Sequence, residues 1–197
     1  MIDRRSSSAD SEFSTASHQR CDALASRIIE ACRDRDLFVA AAESLTGGLL
    51  ADAFVRIPGA SDVFLGSAVT YDIAAKASIL NVDERILDSA GAVDARVAVQ
   101  MAESTARLFG REDIRDRVFG LSTTGVAGPG PDGDKPAGLV YVGLHSPIMA
   151  SQSRGESART VSYRLRLQGS REEVRLQTVE HVLGYLESEL RSATTSV

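Results

Sequence analysis

Three stretches of this 197-residue chain hold side chains that could do chemistry. In "ESLTGG" (43–48) the chain leaves the apolar run "LFVAAA" through Glu43 and Ser44 and enters a helical pattern through two glycines. A hydroxyl at such a bend suits a nucleophile held where helix N–H groups can stabilise a developing negative charge. Taken alone, the same stretch reads as Ser44 or Thr46 capping a helix, with glycines for close packing. In "VTYDIAAK" (69–76), Lys76 sits among Ala74, Ala75 and Ala77. If that face is buried, desolvation lowers the lysine pKa and makes it a usable base; taken alone, it reads as an exposed helical lysine. The third stretch, "TTGVAGPGPDGDKPAG" (123–138), builds a rigid loop with exposed N–H groups at the C-terminal end of a strand, where open α/β sheets bind ligands. It is not a phosphate loop of the Walker type: Gly128 and Gly133 have the interval, but Asp134 stands where lysine is needed and prolines interrupt the helix start. Alone, it is an ordinary long surface loop.

The elements that must position these stretches follow from periodicity. "LFVAAA" (37–42) reads as a strand buried on both faces. Leu49, Leu50, Ala53 and Phe54 have helical spacing, ended by "IPGAS" (57–61). A second strand at 63–71 runs into a helix at 72–80. Asp94 caps a helix through Phe109, with Val97, Met101, Thr105 and Leu108 on one side. Strands follow at 118–125 and 139–144. In 160–167, Val161, Tyr163, Leu165 and Leu167 alternate with polar residues, as on an antiparallel edge strand. Ser170 and Glu173 are spaced as a capping box before a helix with the stripe Val174, Thr178, Val182, Leu186 and Leu190. Leu24, Ile28 and Cys32 predict a first helix over 22–33. The pattern is an α/β fold: a three-layer α/β/α sandwich around a mixed, mainly parallel sheet.

Composition narrows the class. The expected organisation is a disordered Ser-rich leader (1–20), a single domain (21–191) and a frayed tail (192–197). A net charge of −5 argues against nucleic acid or anionic lipid as a partner. No apolar stretch approaches the roughly 20 residues of a membrane span, and the N-terminus lacks the apolar segment of a secretory signal, so a cytoplasmic location is expected. Cys21 and Cys32, eleven residues apart on one helix, stand about 16 Å apart along its axis, too far for a disulfide. With His18, His145 and His181 scattered, no zinc-type cluster is visible; a carboxylate site for magnesium is only weakened.

In this order the motifs resemble the CinA C-terminal domain family, whose active members are nicotinamide mononucleotide deamidases. The family patterns A-E-S-x-T-G-G, V-T-Y-x-N-x-x-K, T-G-x-A-G-P and K-P-x-G are met by "AESLTGG", "VTYDIAAK", "TGVAGPG" and "KPAGLVYVGL". "GAVDARVAVQMAE" (91–103) is similar to the family's central helix, and the resemblance runs from about Asp22 to Leu190. Two positions depart from it: Ile73 stands where asparagine is common, and Ser170 where the family's G-D-R stretch has aspartate. The larger partner domain of the family, related to molybdopterin-binding proteins, is missing from this sequence, which resembles the stand-alone form.

The resemblance implies Ser44 as nucleophile, Lys76 as general base and Tyr71 beside them shaping proton transfer. Thr46, Gly47 and Gly48 would stabilise the oxyanion. Thr124, Gly125, Ala127, Gly128 and Pro129 would line the nucleotide pocket, and Lys135 or a helix N-terminus would hold the phosphate. It further implies a small-molecule nucleotide substrate, no metal or organic cofactor, and a homodimer or larger homo-oligomer. Two other classes stay open: a serine amidase acting on another amide, with Ile73 reshaping the pocket, and a non-catalytic nucleotide-binding homologue.

Overall fold

The apolar run becomes the second strand in a sheet of five. In the computed structural model, which describes residues 4–147 and 159–192, β1 (Phe38–Glu43) lies between β2 (Phe64–Val69) and β3 (Val118–Gly125), followed by β4 (Leu139–Ser146) and β5 (Arg159–Arg166), in the order β2-β1-β3-β4-β5. The β1 pairings with β2 and β3 are parallel; those of β3 with β4 and β4 with β5 are antiparallel. The sheet is therefore mixed, and β4 alone runs against the other strands. β5 is the antiparallel edge expected from its alternation: Leu165 is buried, while Arg164 and Arg166 are exposed.

Successive side chains of β1 serve opposite layers, because strand side chains alternate. Val39 and Ala41 join the core beneath α1 (Arg4–Arg33), α2 (Leu49–Val55) and the C-terminal helix α6 (Arg171–Ser192). Ala40 and Ala42 face the other layer, built from α3 (Ile73–Leu80), α4 (Glu84–Ala90) and α5 (Ala95–Phe109). Alanines on β1 and the absence of a side chain at Gly120 let α5 approach closely; a Cβ at Gly120 would strike the Ala102 carbonyl. Ser122 Oγ and Thr105 Oγ1 pin the contact, donating to the Ala98 and Ala41 carbonyls at 2.6 and 2.8 Å. Opposite, Phe54 is fully buried and stacks on Phe64 at 4.9 Å between centroids, fixing α2 against the sheet; its truncation to alanine would cost about 3–5 kcal/mol.

Several helical expectations change. The first helix begins at Arg4, so residues 4–20 are helical rather than a disordered leader. Ser17 continues the buried stripe of Cys21, Ala25, Ile28 and Cys32 against α6, and Arg20 pairs with Glu180 at 2.7 Å. Cys21 and Cys32 are buried free thiols, and desolvation pushes them up to about 11 and about 12. Helix α4 was not foreseen; Asp83 caps it by accepting from the Arg85 N–H. Asp94 caps α5 as expected, but Leu108 is exposed, the buried face running through Val97, Met101 and Thr105 to Ala106 instead. The Ser170–Glu173 capping box forms, with the Ser170 N–H donating to Glu173 at 2.6 Å and the Glu173 N–H to Ser170 at 3.3 Å. All five residues of the α6 stripe are buried. The expected tail beyond Ser192 lies outside the described residues.

Candidate active site

Where β1 ends, alternation sends two polar neighbours to opposite layers. Glu43 stays in phase with Ala41 and turns toward α2. Its fully buried carboxylate accepts from the N–H groups of Gly48 (2.9 Å), Leu50 (3.0 Å) and Ala51 (3.0 Å) and from the Ser67 hydroxyl (2.9 Å). Glu43 thus satisfies donors that every helix start leaves unpaired, with a negative charge where the helix dipole favours one. Gly47 and Gly48, at φ +56° and +101°, make the left-handed turn that brings the helix back over this carboxylate. The cap is therefore neither Ser44 nor Thr46. Thr46 Oγ1 pairs with Thr123 Oγ1 at 2.8 Å, and the Ser44 hydroxyl is released to the other side.

The same bonds correct the expected oxyanion donors. The Gly48 N–H is engaged by Glu43, and the Gly47 N–H donates to the Ser44 carbonyl at 3.2 Å. The N–H groups of Leu45 and Thr46 make no hydrogen bond among the described residues. From α6, Arg175 holds the outside of the turn, donating from Nε to the Leu45 carbonyl and from Nη2 to the Thr46 carbonyl, each at 2.9 Å.

Lys76 meets Ser44 from α3. Asp72 caps that helix through the Ala74 and Ala75 N–H groups, and the alanines around Lys76 let the helix lie close to the sheet. Lys76 is fully buried. Its Nζ lies 3.0 Å from Ser44 Oγ, 2.5 Å from the Thr70 carbonyl and 3.4 Å from the Tyr71 carbonyl. Burial lowers its pKa from 10.5 to about 8, with Asp72 opposing the shift. As a neutral amine, Nζ has two N–H donors for the two carbonyls and one lone pair left to face the Ser44 hydroxyl. That is the orientation a general base requires.

A cleft of about 330 Å³ is lined by Leu45, Tyr71, the 125–128 loop, Gly130 to Asp132, and Arg171; it reaches the pair through Leu45, next to Ser44, and Tyr71, whose carbonyl touches Lys76, and is lined by neither Ser44 nor Lys76. Of the pocket residues expected from sequence, Gly125, Ala127 and Gly128 line it and Pro129 does not. Thr124 is buried and donates to the Ala92 carbonyl at 2.7 Å, a structural role. Lys135 does not line the cleft and pairs with Asp134 at 3.4 Å. Tyr71 is also revised. Its carbonyl touches Lys76, but the residue is 63% exposed and its hydroxyl accepts from Arg171 Nη2 at 2.9 Å. Ile73 faces a separate groove toward Ala77 and Leu87, outside this cleft.

Arg171 was not foreseen. Besides Tyr71, it donates from Nη1 to the Gly128 carbonyl at 2.7 Å, spanning the cleft between its two walls. Among the described residues it makes no ion pair with a carboxylate. Arg171 and Arg175 are four residues apart, hence on one face of α6. The legible signal was a pair of arginines off the apolar stripe just after a capping box.

Fold and site together define an α/β/α protein that holds a serine and a buried lysine in contact at the carboxyl ends of its parallel strands. The chain belongs to the CinA C-terminal domain family, whose pattern matches residues 21–190. A CinA-like protein of Dictyoglomus thermophilum is 40% identical over 161 residues, covering 81% of this chain and 35% of that protein. Another from Frankia casuarinae is 39% identical over 162 residues, covering 82% and 34%. The chain thus spans about a third of the length of these relatives. Among solved structures, the competence/damage inducible protein CihA of Agrobacterium tumefaciens superposes with a TM-score of 0.75 at 33% identity, covering 87% of this chain and 96% of that one. A CinA superfamily protein of Klebsiella pneumoniae gives 0.75 at 26% identity, covering 87% and 98%. Among the described residues, no helix is long and apolar enough to cross a membrane, and no group of His, Cys, Asp and Glu is arranged to hold a metal ion.

Proposed function

We propose that this protein hydrolyses the carboxamide of nicotinamide mononucleotide to nicotinic acid mononucleotide and ammonia, with Ser44 as nucleophile and Lys76 as base. The observation that carries the proposal is the 3.0 Å contact between a fully buried lysine amine and Ser44 Oγ. Lys76 takes the Ser44 proton as Oγ bonds to the carboxamide carbon, and the oxyanion falls to the free N–H groups of Leu45 and Thr46. The tetrahedral adduct collapses by breaking its C–N bond; the leaving nitrogen takes the proton from Lys76 and departs as ammonia. Water then attacks the acyl carbon, giving a proton back through Lys76 to Ser44 Oγ as the ester bond breaks. Arg171, a planar guanidinium across the cleft with no carboxylate partner among the described residues, is suited to the substrate phosphate. Lys135 loses that role because it lies off the cleft.

The test is ammonia release from nicotinamide mononucleotide set beside nicotinamide, nicotinamide riboside, the dinucleotide and unrelated amides, with Ser44→Ala as control. Turnover of the mononucleotide that vanishes in Ser44→Ala supports the proposal. Preferred turnover of another amide moves the substrate assignment. Nucleotide binding without hydrolysis of any amide would make this a non-catalytic member of the family.

A further inference from the structure

The two N–H groups left without a hydrogen bond at the turn, those of Leu45 and Thr46, end two series of bonds that start from one side chain. A peptide unit joins the carbonyl of one residue to the N–H of the next, and in a planar trans unit the two point in opposite directions. The peptide bonds of this turn are trans. In the first series, Arg175 Nε donates to the Leu45 carbonyl at 2.9 Å, and that unit carries the Thr46 N–H. In the second, Arg175 Nη2 donates to the Thr46 carbonyl at 2.9 Å. The Gly47 N–H of that unit donates to the Ser44 carbonyl at 3.2 Å, and the Ser44 unit carries the Leu45 N–H. Both free donors are thus wired to the same guanidinium, one through a single peptide and the other through two.

Holding the turn shut would need only a neutral donor. Arg175 supplies a charged one, and among the described residues it makes no ion pair with a carboxylate. Bonds from a charged donor are roughly twice as strong as neutral ones, and each bond in a series polarises the next. Every unit in the two series is traversed from carbonyl to N–H, so the polarisation adds rather than cancels. It also runs in a useful direction. Arg175 comes from α6, which shares a layer with α1 and α2, whereas Ser44 turns its hydroxyl to the layer from which Lys76 arrives. The Thr46 N–H, opposite to the Leu45 carbonyl, points away from α6 and therefore to the side of Ser44 Oγ.

We propose that Arg175 is a positioning residue for the oxyanion: its charge, relayed through the peptide units of Ser44, Leu45 and Thr46, makes the Leu45 and Thr46 N–H groups stronger donors to the negative oxygen of the tetrahedral adduct. This rests on the Ser44–Lys76 reading, and one arm of the test uses no amide. The probe is pyridine-3-boronic acid. Its boron bonds to Ser44 Oγ, the serine proton passes to Lys76, and the boron becomes a tetrahedral anion visible by ¹¹B NMR. In Arg175→Gln, which keeps an amide donor and loses the charge, affinity for the boronate should fall about tenfold, less than the hundredfold or more of deleting an oxyanion donor outright. Arg175→Lys keeps the charge and should recover most of that affinity. The mononucleotide, whose carboxamide stays planar and neutral in Ser44→Ala protein, should bind there equally well with and without Arg175→Gln. With Ser44 intact, Arg175→Gln should lower kcat about tenfold and leave KM nearly unchanged. Equal boronate affinity in the parent and Arg175→Gln overturns the proposal. So does a parallel loss of boronate and mononucleotide binding, or an Arg175→Lys variant no better than Arg175→Gln, because either makes Arg175 a mechanical support alone. Boronate binding that survives Ser44→Ala removes the Ser44 reading and the relay with it. If the boronate binds through Ser44 and weakens in Arg175→Gln, but the parent releases no ammonia, the substrate assignment fails and the relay stands.

Discussion

Replacing Lys76 with arginine separates charge from basicity at the centre of the proposed mechanism. With a pKa of about 8, roughly a quarter of Lys76 is neutral at pH 7.5, against roughly one molecule in a thousand for a lysine at 10.5. Burial therefore raises the population of the neutral amine, the proposed base, about two-hundredfold. Arginine keeps the cation and has no neutral form in this range. Lys76→Arg should accordingly lower kcat by at least about a hundredfold, the low end of what a general base contributes. In the parent, kcat should climb with pH to a plateau with its midpoint near 8; in Lys76→Arg that limb should be absent. Ammonia release at saturating mononucleotide from pH 6 to 10 measures both, with circular dichroism to confirm folding. Lys76→Arg retaining a tenth of the parent activity would refute the assignment of Lys76 as base.

The same pKa makes a claim about stability that needs no substrate. A lysine whose folded pKa lies below its unfolded value disfavours folding while both states are protonated. The penalty disappears as pH rises from about 8 to 10.5, where the unfolded chain holds a proton that the folded one has released. The interval corresponds to about 3 kcal/mol. Against Lys76→Met, which lacks the titrating group, urea denaturation should show the parent gaining about that much between pH 7.5 and 10.5. A difference that stays flat across this range would mean Lys76 titrates as an ordinary exposed lysine.

Ser44→Ala, Lys76→Ala and the double variant should all lose turnover to a similar extent, since the two act as one unit; losses that multiply would place the base elsewhere. Arg171→Ala should raise KM for the mononucleotide at least tenfold while changing kcat less, and an unchanged KM removes the phosphate contact from Arg171. Deamidation should survive exhaustive chelation; activity lost to chelator and restored by one divalent ion would show that the base assignment is wrong. Light scattering at micromolar concentration should give a dimer or larger, and a monomeric mass would remove the proposed homo-oligomer.

What could be read from sequence was set by local periodicity and spacing. The strand at 37–42, the caps at Asp94 and Ser170 and the alternation of 160–167 each depend on residues within a few positions, and all formed. Chemistry at Ser44 was legible as a possibility because a serine precedes two glycines, but the same letters describe a cap. What rules out the cap is Glu43, one residue earlier, which takes over the helix N-terminus and leaves the serine hydroxyl to Lys76. Parity on β1 made that outcome foreseeable, since adjacent residues must serve opposite layers. Lys76 illustrates the opposite limit: its burial depends on how closely α3 approaches the sheet, a tertiary quantity that neighbouring alanines permit without dictating. Residues 4–20 were misread because serine content outweighed a stripe continuing from Cys21 to Ser17, whose burial comes from α6, far along the chain. Distance in sequence also hid Arg171 and Arg175. They reach partners about 40 to 130 positions away, so the local pattern shows two arginines off the apolar stripe but not what they touch, one turn apart on a single helix face. One holds the turn that carries Ser44 and the other spans the cleft beside it. A shift of α6 would move both together, so the helix that packs against α1 also sets the geometry of the turn that carries Ser44.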